Sequence, residues 1–371
     1  MKIFILLCCF AMLVISPVRA SDDSEFQLQN RLRAHIEFLA DDLMLGRQPG
    51  TDGYNIAANY VSSQFRQMGL LPAGGDGEYL QQVPLRRAFL EPGSAKFELR
   101  RGAETIPFVF VDQFYMGPAL NRVSSELEAG MVFAGYGIEA EELDHNDYMG
   151  LDVEGKVVVQ FSGQPHDFPS EEGAHFASST EKTKAAVRHG AVGIITIHTP
   201  RASKRYQWDR VSSRVGMPSM GWINEQGDVH GKFEQIKGGA MLSHTAASPV
   251  FEGAPIDLDT LIEYDNAGEA LATFDLEGTI IMRQQSTHES IFSPNVVAVL
   301  PGSDPLLASE YVVYSAHLDH IGELHAESSG GEHGDRINNG ALDNASGISV
   351  MLETARLFAQ GEPPRRSILF V

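Results

Sequence analysis

The chain has 371 residues, with 28 Lys and Arg against 49 Asp and Glu, a formal net charge of −21, and 43% of its residues are hydrophobic. A balance this acidic argues against nucleic acid as a partner, because phosphate binding wants a basic face, and the apolar content is ample for the cores of two domains or more. The only two cysteines are Cys8 and Cys9, so the rest of the chain has neither disulfides nor thiolate ligands, and any metal must sit on histidine and carboxylate.

Residues 1–20 combine Lys2, an apolar run from Ile3 to Ile15, and Val18-Arg19-Ala20 ahead of Ser21-Asp22-Asp23. The run is shorter than the ~20 residues that span a bilayer, and with its small-residue ending it reads as a cleavable export signal. The expected product is exported, periplasmic or secreted, with no membrane contact after cleavage. From Glu25 to Leu45, the positions Leu28, Leu32, Ile36, Leu39 and Leu43 form a helical stripe stopped by Gly46. A second helix is predicted from Tyr54 to Met68, with Asp52 as cap and Gly69 as stop.

Between about Leu85 and Arg283 the pattern changes to short apolar or alternating runs separated by Gly, Pro and Asp, which read as strands. Thr180 to His189 is a predicted helix and Val192 to Ile197 a buried strand. His145, His166, His175, His189 and His198 fall here and read as surface or core residues rather than ligands. Farther on, Val296–Leu300 and Tyr311–Ala316 flank the turn from Pro301 to Glu310 and are expected to pair as neighbouring buried strands.

The stretch from His317 to Asp343 has no helical or strand period, yet it holds His317, His320, His325 and His333 with Asp319, Glu323, Asp335 and Asp343. A structureless stretch of that length inside a compact domain is usually functional. After it, Ile348, Met351, Leu352, Ala355, Phe358 and Ala359 make a helical stripe closed by Gly361 and Pro363-Pro364, and Ser367–Val371 reads as another strand. Strand, helix and strand in this order predict a parallel crossover, whose ligands bind at the carboxyl ends of the strands. Alternation puts His317 and Asp319 on one side, so that the carboxylate can accept one imidazole N–H while the other nitrogen binds a metal. An HxD pair alone is a weak signal, and histidines in a Gly-rich loop are often just solvated. The second acidic segment, Asn339 to Gly347, raises the weight of the metal reading: two carboxylate-bearing loops at adjacent strand ends can share two cations ~3.5–4 Å apart.

AHLDHIG together with GDRINNGALDNASG resembles the signature of the co-catalytic di-zinc exopeptidases, the family of bacterial leucine aminopeptidase, glutamate carboxypeptidase and the transferrin receptor ectodomain. The resemblance implies that His317 ligates one zinc, that Asp319 orients it as part of the catalytic apparatus, that Asp343 bridges two Zn2+ ions, and that the Asp343–Asn344 peptide is cis. Leu342 stands where many relatives have a second acid, which is not a ligand in the family. LADDLMLGRQPGTDG with MGLLPAGG is similar to the family's opening. AGYGIEAEELDHNDYMGLDVEGKVVVQFSG with KTKAAVRHGAVGIITIH resembles a protease-associated domain, which several members carry as an insertion.

These likenesses imply an α/β fold: a mixed sheet of the zinc-exopeptidase (phosphorylase/hydrolase-like) type, flanked by helices and interrupted by a mostly β protease-associated domain. The expected domains are a signal peptide at 1–20, a first catalytic part at 21–118, the insert at 119–285 and a second catalytic part at 286–371. The expected function is an exported zinc-dependent exopeptidase of aminopeptidase type, with a peptide substrate. The alternative is a non-catalytic receptor-like ectodomain of the same fold. In the family a Glu-Glu pair carrying the general base and a zinc ligand follows the strand that Ser367–Val371 resembles, with further ligands later. The chain stops at Val371, so the expectation is the front part of a longer reading frame, inactive as given and ending in a strand with an unprotected edge. Aminopeptidase is then the family default, and oligomeric state is open.

Overall fold

The computed structural model describes residues 20–212, 214–323 and 335–371. Residues 1–19 of the expected signal at 1–20 and the loop residues His325 and His333 lie outside them. In chain order the elements begin with α1 (Ala20–Leu39), a 3₁₀ turn at Asp42–Arg47, α2 (Asp52–Gln67), β1 (Leu71–Pro72), β2 (Leu80–Leu90), β3 (Lys96–Arg101), β4 (Glu104–Pro107), β5 (Phe114–Tyr115), β6 (Ser124–Ala134), and the β7 (Glu139–Ala140) and β8 (His145–Asn146) pair. Then come β9 (Val157–Phe161), α3 (Ser170–Phe176), α4 (Ser179–Arg188), β10 (Gly193–His198), α5 (Pro200–Ser203), α6 (Trp208–Ser212), β11 (Ser219–Trp222), β12 (Gly238–Ser243) and α7 (Leu258–Ala267). The last are β13 (Thr273–Val296), β14 (Ala298–Leu300), β15 (Tyr311–Tyr314), α8 (Ser346–Gln360) and β16 (Ser367–Phe370). The whole is a mixed α/β fold.

The first helix ends six residues before the stripe does. Two successive aspartates follow Ala40, and the Asp41 carboxylate accepts the Leu43 N–H at 2.9 Å, a local bond that competes with helix continuation. Leu43, expected inside, is 82% exposed. The second helix is capped by Thr51 rather than Asp52, its hydroxyl accepting from the Tyr54 N–H.

Leu39, Ala57, Val61 and Phe65 from α1 and α2 share a core with Ile348, Leu352 and Ala355 of α8 and with Ala298, Ile368 and Phe370 of a four-stranded sheet. That sheet runs β1-β14-β16-β15. β15 and β16 are parallel, as the strand-helix-strand order predicts, and β14 is antiparallel to β16. The expected β14–β15 neighbourhood is therefore wrong: β16 lies between them. The connection from Pro301 to Glu310 is long enough to straddle a strand, and the two flanking strands keep the antiparallel sense of a hairpin. The final strand β16 is paired on both sides; the edges are β15 and the two-residue β1, and Tyr311 to Tyr314, expected to be buried, are exposed along the β15 edge.

A ten-stranded sheet carries the second core. Its order is β11-β2-β13-β6-β9-β10-β12-β5, with β3 on β13 and β4 on β3, and β6, β9, β10 and β12 run parallel. Phe133, Phe161, Phe251 and Ile195 pack there with Phe97, Leu99, Phe114 and Met116. Packing thus draws in side chains well ahead of residue 119, because β3 pairs with β13. β13 itself runs 24 residues without a break, past 285.

Candidate functional site

β15 delivers its carboxyl end, through Ser315 and Ala316, to His317. The ladder continues just far enough to hold that end: the Ala316 N–H donates to Val371 O at 3.1 Å. Leu318, buried, anchors the chain between two polar neighbours that face outward. Across from it, Gly340 adopts φ +64° and opens the turn at Ala341–Ala345 that leads into α8. A Cβ there would lie 2.7 Å from both the Arg47 guanidinium and the His320 ring, so only glycine suits the position. The Asn344 side chain accepts the Gly347 N–H at 3.0 Å, which caps the first turn of α8.

These two loops bring His317 and Asp343 together. His317 Nε2 lies 2.9 Å from Asp343 Oδ1. On the other side of the ring, Nδ1 is 3.1 Å from the Asp319 carbonyl oxygen and 3.4 Å from its carboxylate, so the backbone of Asp319 is the nearer acceptor. The Asp343–Asn344 peptide is cis. The His317 and Asp343 side chains are 52% and 69% exposed, open to an ion from solvent. A cavity of about 500 Å³ adjoins them, with Asn344, Asp319, Tyr54 and Asn295 in its wall.

Among the described residues, the other acidic positions of the loop stay apart from this pair. Asp335 is exposed and accepts its own Ile337 N–H at 3.0 Å; Glu323 is exposed beside Ile337. Among the described residues no group of three or more His, Asp or Glu side chains converges as a metal set would. His320 sits behind the pair, its pKa lowered chiefly by burial, with Asp343 pulling the other way. In the second unit the histidines take ordinary partners: His189 stacks on Tyr148 at 4.4 Å and faces Glu139, and His145 pairs with Asp147 at 3.0 Å.

Arg47, not singled out in the sequence, is the residue that locks the two loops in place. It is fully buried. Its guanidinium donates to the carbonyls of Leu318 (2.9 Å), Asn339 (2.7 Å), Gly340 (3.0 Å) and Leu39. The turn that carries it adds backbone bonds, His320 N–H to Arg47 O and Gly322 N–H to Gly46 O. Burial lowers the Arg47 pKa, and Asp319 and Asp343 oppose that, so a buried cation stabilises the acidic site from behind. Tyr54, its pKa pushed up to about 12 chiefly by burial, stays protonated and donates to Pro294 O at 2.7 Å.

Residues 295–371 match the model of peptidase family M28. Those residues, about a fifth of the chain, are what is similar to that family. That segment includes β14, β15, the His317 and Asp343 loops, α8 and β16. Among solved structures, the chain is similar to an aminopeptidase from Aneurinibacillus sp. strain AM-1, with 19% identity over 92% of this chain and 61% of that one and a TM-score of 0.46. It is also similar to BSAP, a zinc aminopeptidase from Bacillus subtilis, at 17% identity over 92% and 60%, with a TM-score of 0.36. The chain thus spans about six-tenths of the length of these structures. No curated protein sequence matches it significantly.

Proposed function

We propose that this chain is part of an exported zinc-dependent exopeptidase of aminopeptidase type, directed to the export route by residues 1–20 and carrying a protease-associated domain between its catalytic parts. The observation that carries the reading is the approach of His317 Nε2 to Asp343 Oδ1 at 2.9 Å inside the M28 segment. One neutral imidazole and one carboxylate are donors that zinc takes at ~2.0–2.2 Å, and two donor atoms this close fit adjacent corners of one coordination shell. His317 and Asp343 are the residues that would hold the zinc. Zinc would supply Lewis acidity toward a peptide carbonyl.

The chain's own residues do the rest of the work that can be assigned. Asp319 accepts from the Nδ1 side and so fixes the tautomer in which Nε2 carries the lone pair, the role an outer acceptor plays at a histidine ligand. Arg47 holds the His317 and Asp343 loops at a set separation without occupying the site. A free peptide amine finds an acidic surrounding here, in a chain of net charge −21.

Calorimetric titration of the full chain with zinc tests this. The expected result is zinc binding that weakens at least ten-fold in His317→Ala and in Asp343→Asn, with a smaller loss in Asp319→Asn, which keeps the nearer carbonyl acceptor. Equal zinc affinity in the parent and in both ligand variants would overturn the assignment.

A further inference from the structure

A second cavity, about 410 Å³, adjoins the first across Tyr54, Asn295 and Asp319. Strand register explains its floor. Trp222 on β11 pairs with Leu85 on β2, and Leu85 pairs with Ile291 on β13. Val83 pairs with Ser293 two residues along. Directly paired residues project to one face and so do residues two apart, which sets Trp222, Leu85 and Val83 side by side on the face that Pro49 and Tyr54 wall off. Asp319 closes the end toward His317.

This floor is unusual for a surface. Trp222 is 45% exposed, and its outward ring is held flat by the His230 imidazole behind it, 4.6 Å away and 19° from parallel. An exposed indole braced in one orientation, beside two aliphatic side chains and next to convergent polar groups, is the build of a ligand pocket. The Asp319 charge at the end of the pocket is partly offset by the electrostatic attraction of the buried Arg47 guanidinium, and the floor itself is apolar.

We infer that Trp222, Leu85 and Val83 form the subsite for a bulky apolar side chain of the peptide residue bound beside Asp319, so that β11 sets substrate preference. The inference rests on the peptidase reading above. It assigns to one strand, added to the sheet edge by pairing with a strand some 130 positions earlier, the discrimination between large and small side chains. A pocket of this kind separates side chains that differ by a single methylene by about 10–200-fold, so a whole apolar side chain against none should be read easily.

Calorimetry on the full chain tests it with triglycine and with tripeptides in which one glycine, at each position in turn, is replaced by Leu, Phe or Lys. Leu and Phe at one position should bind at least ten-fold more tightly than triglycine. Trp222→Ala and Leu85→Ala should each cut that preference at least five-fold, while Trp222→Phe keeps most of it and certifies that the sheet edge survives. Zinc affinity should not change in any of the three variants. A preference for Lys, an apolar preference untouched in Trp222→Ala, or no binding of any tripeptide would each overturn the subsite. An apolar preference that persists in His317→Ala without zinc upholds the subsite independently of the metal assignment, which the zinc titration decides.

Discussion

The two units of the molecule both have apolar cores, but their key geometry is fixed by different means. In the larger sheet, stability rests on aromatic packing: Phe133 alone sits 5.2, 5.3 and 5.4 Å from the rings of Phe161, Phe251 and Phe274, and all five residues of β9 are buried. In the helical unit the sheet is small and one edge strand is exposed on both faces. There the geometry that matters is imposed by buried polar groups, Arg47 at the loops and Glu353 between the helices. Apolar packing is tolerant of small shifts and sets shape, whereas a guanidinium reaching four carbonyls fixes positions. The site is built where the second kind of order prevails.

The largest expected effect comes from Arg47→Met, which leaves four carbonyls, two buried and two part-buried, without their donor. At ~1–3 kcal/mol for each unsatisfied group, the loss is on the order of 5 kcal/mol. Hydrogen exchange should show it as lost protection in α2 and α8 with β6 and β9 still protected; equal loss in both units would abolish the contrast. Phe133→Ala is the mirror experiment, at about 3–5 kcal/mol, with protection lost first in β6, β9 and β13. If α8 opens at the same denaturant concentration, the two units form one cooperative block.

A smaller effect sharpens the polar side of the comparison. Glu353 of α8 is 3% exposed and takes Arg31 at 2.9 Å and Arg356 at 2.8 Å, with the His35 ring at 3.7 Å. Burial works to raise the Glu353 carboxyl, and the two guanidiniums outweigh it and hold it below its ordinary value of 4.5. For a lowered carboxyl the unfolded state takes up the proton first, so the contribution is complete above 4.5 and is lost as pH falls through the folded value. His35 is lowered from 6.5, chiefly by burial, so its contribution begins to fade below pH 6.5, in the same direction. Thermal melts from pH 7 to pH 4 should therefore fall in two stages, and Glu353→Gln, about 2 kcal/mol less stable at pH 7, should lose the lower stage. A melt unchanged between pH 7 and pH 4 would contradict this. Thr51→Ala removes the cap of α2 and should cost about 1 kcal/mol in denaturant titration; a loss near zero would mean that packing alone holds the helix start.

How much of this was legible in the sequence follows from the range of the interactions. His317, Asp319 and Asp343 stand in short motifs beside strand and helix patterns, so local spacing was enough to bring them forward and to place α8 between parallel strands. Arg47 was not legible, because its partners are the carbonyls of residues 39, 318, 339 and 340, and a carbonyl has no residue type. Trp222 was missed for a related reason: β11 is four residues long and is a strand only because it pairs with β2. The order of β14, β15 and β16 failed because a ten-residue turn permits both adjacency and the straddling of one strand.

β13 has one more consequence. It pairs with β2 over eleven successive residues, Ser286–Val296 against Leu80–Leu90, on the way from the large sheet to the helical unit. Domain closure needs a few residues free to absorb a change of backbone angle, and a doubly stranded ribbon with every rung made has none at that crossing. The gap between Trp222 and His317 is therefore a rigid caliper rather than a swinging gate. Peptides should enter it in a single kinetic step, with an observed stopped-flow rate that rises linearly with peptide concentration and shows no plateau.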